Sequence, residues 1–244
     1  MFDGKLQNEL FGALHRRVNG IVLRIENGTL DYQRVMKAFQ MVAEGEFPPT
    51  GPLIINWRLV YKALGMAKKY DAGFSPNAVK LVPSVYRWMT PILKNVTCDK
   101  VIAAFREINI NVSLCASDLD SSVTENDRNH NNGSYIVSFA SNVEADENLK
   151  NLSANKLAEQ GVKGITLLER LVLGFGYFLT TGKHLDEKNV TLCIGSRRSD
   201  GGVPGVNWDV GSRKLCVSWY SADVAYDNLR ARAVVSSKRF NFVF

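Results

Sequence analysis

The sequence predicts an α+β protein built in two parts. Three observations predict it. Apolar residues recur at three- and four-residue spacing in several stretches of the first 112 positions. A polar stretch, SDLDSSVTENDRNHNNGS, then interrupts the pattern at 117–134. Beyond Gly182 the spacing changes to strict alternation. The expected organisation is a helical module at 1–112, a polar linker or loop at 113–134 and a mixed domain at 135–244.

In the first part, Leu6, Leu10, Leu14, Val18, Ile21, Val22 and Ile25 form one helix face, and Asn27-Gly28 is a stop signal. A second helix from about Asp31 carries Val35, Phe39 and Val42 and ends at Gly45, so the two helices form an antiparallel hairpin. Phe47-Pro48-Pro49-Thr50-Gly51-Pro52 breaks the chain. A helical pattern resumes at about 56–70 on Trp57, Val60, Leu64 and Ala67. Pro83 and Pro91 leave 76–95 ambiguous, and Val101, Ile102, Phe105 and Ile108 mark a helix near 99–108. In the last part Tyr135–Phe139 reads as a strand. A helix follows at about 153–160, with Ser153 as its cap and Gly161 beyond its end. Thr166-Leu167-Leu168-Glu169 is a capping box that opens a helix running to about Thr180. The alternations Val190/Leu192/Ile194, Leu215/Val217/Trp219 and Leu229/Ala231/Ala233/Val235 predict three strands separated by turn-rich loops.

The composition, 45% hydrophobic and 22% charged with net charge +6, is that of a globular chain. It contains no apolar run long enough for a membrane span and no basic-then-apolar leader, so a cytoplasmic location is expected, with a virion or non-classical export left open. The charge is segmented: 15 basic against 9 acidic residues in 1–112, 2 against 7 in 113–151, and 13 against 8 in 152–244. Cys98, Cys115, Cys193 and Cys216 form no C-x-x-C pair and have no histidine cluster beside them. Reduced thiols and no metal site are expected. His15, His130 and His184 belong to no catalytic motif, and Gly174-Phe175-Gly176 sits inside a helix rather than after a strand, so no dinucleotide turn is expected.

The segment Leu157-Ala158-Glu159-Gln160-Gly161-Val162-Lys163-Gly164-Ile165-Thr166-Leu167-Leu168-Glu169 resembles the helix-to-helix junction of C-type-lectin-like domains of the formylglycine-generating-enzyme type, which read A-x-x-x-G-x-R-L-P-T-x-x-E-W. Ala158, Gly161, Thr166 and Glu169 match, with altered spacing near Gly161. Lys163 stands for the Arg, Gly164-Ile165 for Leu-Pro and Arg170 for the Trp. Ile194-Gly195-Ser196-Arg197 is similar to the family's W-x-G-S element. Residues 209–219 stand where R-G-G-S-W is expected, and Leu229-Arg230-Ala231-Arg232-Ala233 resembles the closing F-R-x-A strand. The resemblance covers about 135–237. Within that superfamily the variable proteins of diversity-generating retroelements fit best. The resemblance implies a ligand-binding surface rewritten by adenine-directed mutagenesis. From an AAC codon such mutagenesis cannot produce Glu, Lys, Gln, Met or Trp, and the loop 220–228 contains none of the five. The oxidase activity is not implied, because Cys216 is followed by no second cysteine and Cys193 precedes it by a whole strand-and-loop unit.

The expected function is therefore ligand recognition without catalysis or cofactor, the partner being a macromolecule, protein above all. The candidate ligand-binding residues are Asn207, Trp208, Asp209, Ser212, Ser218, Trp219, Tyr220, Ser221, Ala222, Asp223, Ala225, Tyr226, Asp227 and Asn228. Large aromatics give contact area at low entropic cost, and Ser, Asp and Asn give adaptable hydrogen bonds. Trp219 shares a strand face with Leu215 and Val217, so it fits core as well as contact. Asn207-Trp208-Asp209 inverts the calcium-binding order of sugar-binding lectins, and no calcium is expected there. The alternative is nucleic-acid binding or docking through the basic helical module, with Arg16, Arg17, Arg24, Arg34, Lys37, Lys68 and Lys69. A solvated helix face explains the same residues. An oligomer is compatible with either reading.

Overall fold

The computed structural model describes residues 53–74 and 87–239, together with Val22, Glu26, Tyr32 and Met36. The chain divides into two compact units, Met1–Gly51 and Pro52–Phe244. In the first, the four described residues are helical and exposed, Val22 at 45% even though the sequence places it on an apolar helix face. The rest of the two expected helices, with Arg16, Arg17, Arg24, Arg34 and Lys37, lies outside the described residues.

The second unit is mixed helix and sheet. Its elements are α1 (Trp57–Ala63), α2 (Ala67–Gly73), β1 (Arg87–Ile92), α3 (Cys98–Glu107), β2 (Asn111–Leu114), α4 (Leu119–Ser122), β3 (Glu125–Asn126), β4 (Tyr135–Ala140), α5 (Ala154–Glu159), α6 (Leu167–Thr181), β5 (Val190–Leu192), β6 (Ser196–Arg197), β7 (Val203–Asp209), β8 (Lys214–Tyr220), β9 (Leu229–Ala231) and β10 (Val234–Arg239). They form a sheet ordered β1-β4-β10, a larger one ordered β2-β8-β7-β5-β9 and a two-stranded ribbon, β3-β6.

The helix α6 is the centre of this unit. Every residue from Leu167 to Tyr177 is buried, because α1, α3, β1 and β7 all pack on it. A helix covered on all sides has no polar face to keep, which explains its near-continuous apolar run. Phe175 meets Phe105 of α3 edge to face at 4.9 Å, a pair worth about 1 kcal/mol beyond its area. The capping box is formed in full: Thr166 Oγ1 accepts from the Glu169 amide at 3.2 Å, and the Glu169 carboxylate accepts from the Thr166 amide at 2.9 Å.

The division expected at 113–134 is not a division between units. β1 pairs antiparallel with β4, from Arg87↔Ala140 to Ile92↔Tyr135, and β2 pairs in parallel with β8. Residues on both sides of the polar stretch thus share two sheets and one core. The stretch itself is tied down. Leu119 is fully buried, and Arg128 places its guanidinium on the buried Glu169 carboxylate, with Nε to Oε1 at 2.6 Å and Nη2 to Oε2 at 2.8 Å.

Three further elements differ from expectation. The helix expected at 56–70 is two helices, broken at Gly65-Met66. The ambiguous 76–95 contains β1, where Pro91 is accommodated on an edge strand. The closing strand expected at 229–235 is split. β9 pairs with β5 in the large sheet, while β10 pairs with β4 in the small one, from Val234↔Phe139 to Arg239↔Tyr135. Arg232 lies at the switch, fully buried, because its guanidinium reaches the Asp186 carboxylate at 3.2 Å.

Candidate functional site

β7 and β8 build the scaffold of the site. Their register runs from Val203↔Tyr220 to Asp209↔Lys214. One face carries Val206, Leu215 and Val217 into the core. The other carries Asn207, Cys216, Ser218 and Tyr220, all half-buried. Gly205 decides how Tyr220 lies. A Cβ at Gly205 would meet the Tyr220 ring at 2.5 Å, so the ring rests directly on the glycine backbone and against Val190 of the next strand. The β8–β9 connection then returns from the Tyr220 level to Val190, whose carbonyl-side neighbour Thr191 pairs with Val206. On this return Ala225, Tyr226, Asp227 and Asn228 are exposed, Tyr226 at 55%.

Beside the Tyr220 end lies a cleft of ≈ 710 Å³. One wall is the turn 198–202 between β6 and β7, closed by Arg198 N–H to the Gly202 carbonyl and Gly201 N–H to the Arg198 carbonyl, both at 2.9 Å. The other is Trp219, Tyr220, Ser221, Ala222 and Asp223. Asn155 of α5 fixes that second wall. Its amide N–H donates to the Ala222 carbonyl at 3.0 Å, and its Nδ2 donates to Asp223 Oδ1 at 2.5 Å. Glu125 of β3 and Arg197 of β6, paired across the ribbon, complete the floor. The Arg198 guanidinium sits 5.3 Å from the Trp219 ring centroid and 2.8 Å from the Asp200 carboxylate. Trp219 is half-buried rather than core, and its Nε1 is a buried donor without a partner among the described residues.

The fourteen expected residues do not converge. Trp219, Tyr220, Ser221, Ala222 and Asp223 line the cleft, and Ser218 and Asn207 lie on the open face of the sheet. Asp209 and Ser212 sit at the far end of the hairpin, six residues or about 20 Å from Tyr220. There Asp209 Oδ2 accepts from Ser212 Oγ at 2.6 Å, which above all holds its carboxyl below the usual range, and Oδ1 accepts from the Gly211 amide at 3.0 Å, which ties it into the turn. Trp208 stacks on His184, centroids 3.5 Å apart and planes 5° from parallel, and packs against the core. Arg197, Arg198, Ser199, Asp200, Glu125 and Asn155 were not expected at the site. The polar, glycine-rich run 197–202 is the local signal for Arg197 to Asp200 and shows merely a turn, while Glu125 and Asn155 have none.

Three carboxylates approach one another elsewhere. Oxygens of Asp99, Asp118 and Asp120 lie within 4.8 Å. They cap two helices: Asp120 accepts from the Cys98 and Asp99 amides, Asp99 from the Leu119 amide and Asp118 from the Ser121 amide. Burial pushes the Asp99 carboxyl up, and the Ser121 amide holds the Asp118 carboxyl down. Burial is also the largest influence on all four thiols, and each lies above the usual thiol value.

No family model, curated protein or solved structure matches the chain. Among the described residues no helix is long and apolar enough to cross a membrane. The basic residues of the alternative nucleic-acid reading lie mostly in the first 51 positions, outside the described residues; Lys68 and Lys69 are exposed on α2.

Proposed function

We propose that this chain is a non-catalytic recognition protein that presents a variable-type surface on a C-type-lectin-like scaffold. The observation that carries the reading is the cleft of Trp219–Asp223 against 198–202: a polar, open surface whose walls are turns hung from paired strands. Loops hung from rigid strands can change in sequence while the core stays intact. The scaffold reading is supported by the capped α5–α6 junction, while the closing strand at Leu229–Ala231 pairs with β5 rather than β4 and only the segment from Val234 onward joins β4. The non-catalytic reading is supported by the thiols, since raised values oppose the thiolate that nucleophilic or redox chemistry needs.

Randomising the exposed or cleft-lining Ser199, Ser221 and Asp223 in a displayed library tests the recognition reading. The expected result is that most members keep the parent's melting temperature within a few degrees and that selection against unrelated proteins yields binders. Widespread unfolding, or no binders from a folded library, would sink it. Diversification in nature has a separate test in the gene's surroundings. A near-repeat of the DNA for about 190–236, differing at adenines and lying beside a reverse-transcriptase gene, is expected, and its absence refutes diversification alone.

A further inference from the structure

We propose that the cleft takes a cationic side chain, guanidinium or ammonium, of a partner polypeptide, in the seat that Arg198 occupies within the chain itself. The inference rests on the recognition reading of this cleft and specifies its ligand. Arg198 already satisfies the chemistry of such a guest. Its guanidinium lies over the Trp219 ring at 5.3 Å with the Asp200 carboxylate as counter-charge at 2.8 Å. An aromatic face backed by a carboxylate is how a cation is held. The intramolecular occupant is loosely held, for the Arg198 and Asp200 side chains are 38% and 56% exposed, and exposed ion pairs contribute little.

The remaining charges favour a cation. Glu125 and Asp223 also line the cleft, and among the described residues the one other cation lining it is Arg197, whose Nη1 is engaged by the Ile194 and Ser196 carbonyls at 2.7 and 3.0 Å. When Arg198 swings outward, three carboxylates face one guanidinium across an uncovered indole ring. A phosphate backbone would meet that excess of negative charge unfavourably, so the partner is a polypeptide rather than a nucleic acid. The volume, ≈ 710 Å³, exceeds one side chain and accommodates the residues flanking it.

The test uses the full chain with ¹⁵N-labelled indoles, following the Trp219 Nε1–H resonance assigned through Trp219→Phe. The probes are the capped peptides Gly-Ser-Arg-Ser-Gly, Gly-Ser-Gln-Ser-Gly and Gly-Ser-Glu-Ser-Gly. The arginine peptide is expected to shift the resonance saturably and the other two to leave it in place. Arg198→Ala and Arg198→Gln should each strengthen arginine-peptide binding about tenfold, because a tethered competitor at millimolar-scale effective concentration is removed. Asp200→Asn in the Arg198→Ala background should weaken it again. Unchanged Trp57, Trp88 and Trp208 indole signals establish that the variants are folded. Equal shifts from the glutamine or glutamate peptide overturn the cationic assignment while leaving the cleft a recognition surface. No arginine-peptide shift even in Arg198→Ala also overturns it. Failure of the displayed library would instead overturn the recognition reading itself.

Discussion

At the scale of single residues, the buried charges matter most. Asp186 is fully buried between two buried guanidiniums. Its carboxylate meets Arg170 Nε at 2.8 Å and Arg232 at 3.2 Å, and it also accepts from Thr191 Oγ1 and the Ala145 amide. Removing one partner of such a set leaves buried charge uncompensated. Asp186→Asn keeps the side chain's shape and its tolerance of the positive φ of 57°, so it isolates the charge. It should lower the unfolding free energy by about 3–5 kcal/mol, measured by urea denaturation at pH 7. His184 adds a pH dependence. Burial first, and the Arg170 charge second, lower its pKa from 6.5 to about 4. The unfolded chain therefore binds a proton that the folded chain refuses. Its contribution is complete above about pH 6.5 and is lost as pH falls towards 4. His184→Phe keeps a ring between Phe178 and Trp208. Its urea midpoint should fall less than the parent's between pH 7 and 4.5, and parallel curves would contradict the assignment.

At the scale of elements, helix signals were legible and several strand signals were not. Ser153, Thr166, Glu169 and Gly182 mark the ends of α5 and α6 because a cap acts on its own helix within a turn or two. β7 was hidden. Its Pro204 and Gly205 read as a loop, yet it is the middle strand of the large sheet. Pro204 lacks a donor, but it stands where the β5 ladder ends at Leu192↔Gly205, and its carbonyl still accepts from the Cys193 amide at 2.8 Å. Gly205 is there because Tyr220 lies on it. Gly205→Val should lift the ring, open the cleft wall and reduce stability by about 1–3 kcal/mol through overpacking. Denaturation and the Tyr220 ring chemical shifts would register this, and an unperturbed Tyr220 would show that the contact is slack.

At the scale of the molecule, segment charge misled in one respect. The acidic segment 113–151 begins with the stretch 113–134 that reads from the sequence as a polar linker or loop. Its carboxylates are instead spent largely on backbone amides: Asp118 and Asp120 at helix ends, Glu144 on the Glu187, Lys188 and Asn189 amides, and Asp146 on the Ala233 amide, while Glu147 pairs with Arg230. The stretch belongs to the fold because β1 and β2 share sheets across it with β4 and β8. A fragment 113–244 loses β1, α3 and the Phe105–Phe175 contact, so it should remain unfolded by amide-proton dispersion. The fragment 52–244 should give dispersed resonances and one cooperative transition. A folded 113–244 would restore the division at 113.

The sequence by itself determined the α+β class, the caps of α5 and α6, the approximate extents of α3, α5 and α6, and the inward residues Leu215 and Val217 of β8. Each depends on residues within a few positions of one another. Only the tertiary structure decided which strands pair, that the closing segment splits between two sheets at Arg232, that Arg128 serves Glu169, and that Asp209 and Ser212 lie about 20 Å from Tyr220 while Arg198 lies beside Trp219. Those are contacts between residues distant in the chain. A local period reports which face a side chain takes, but not which distant strand or charge will meet it there.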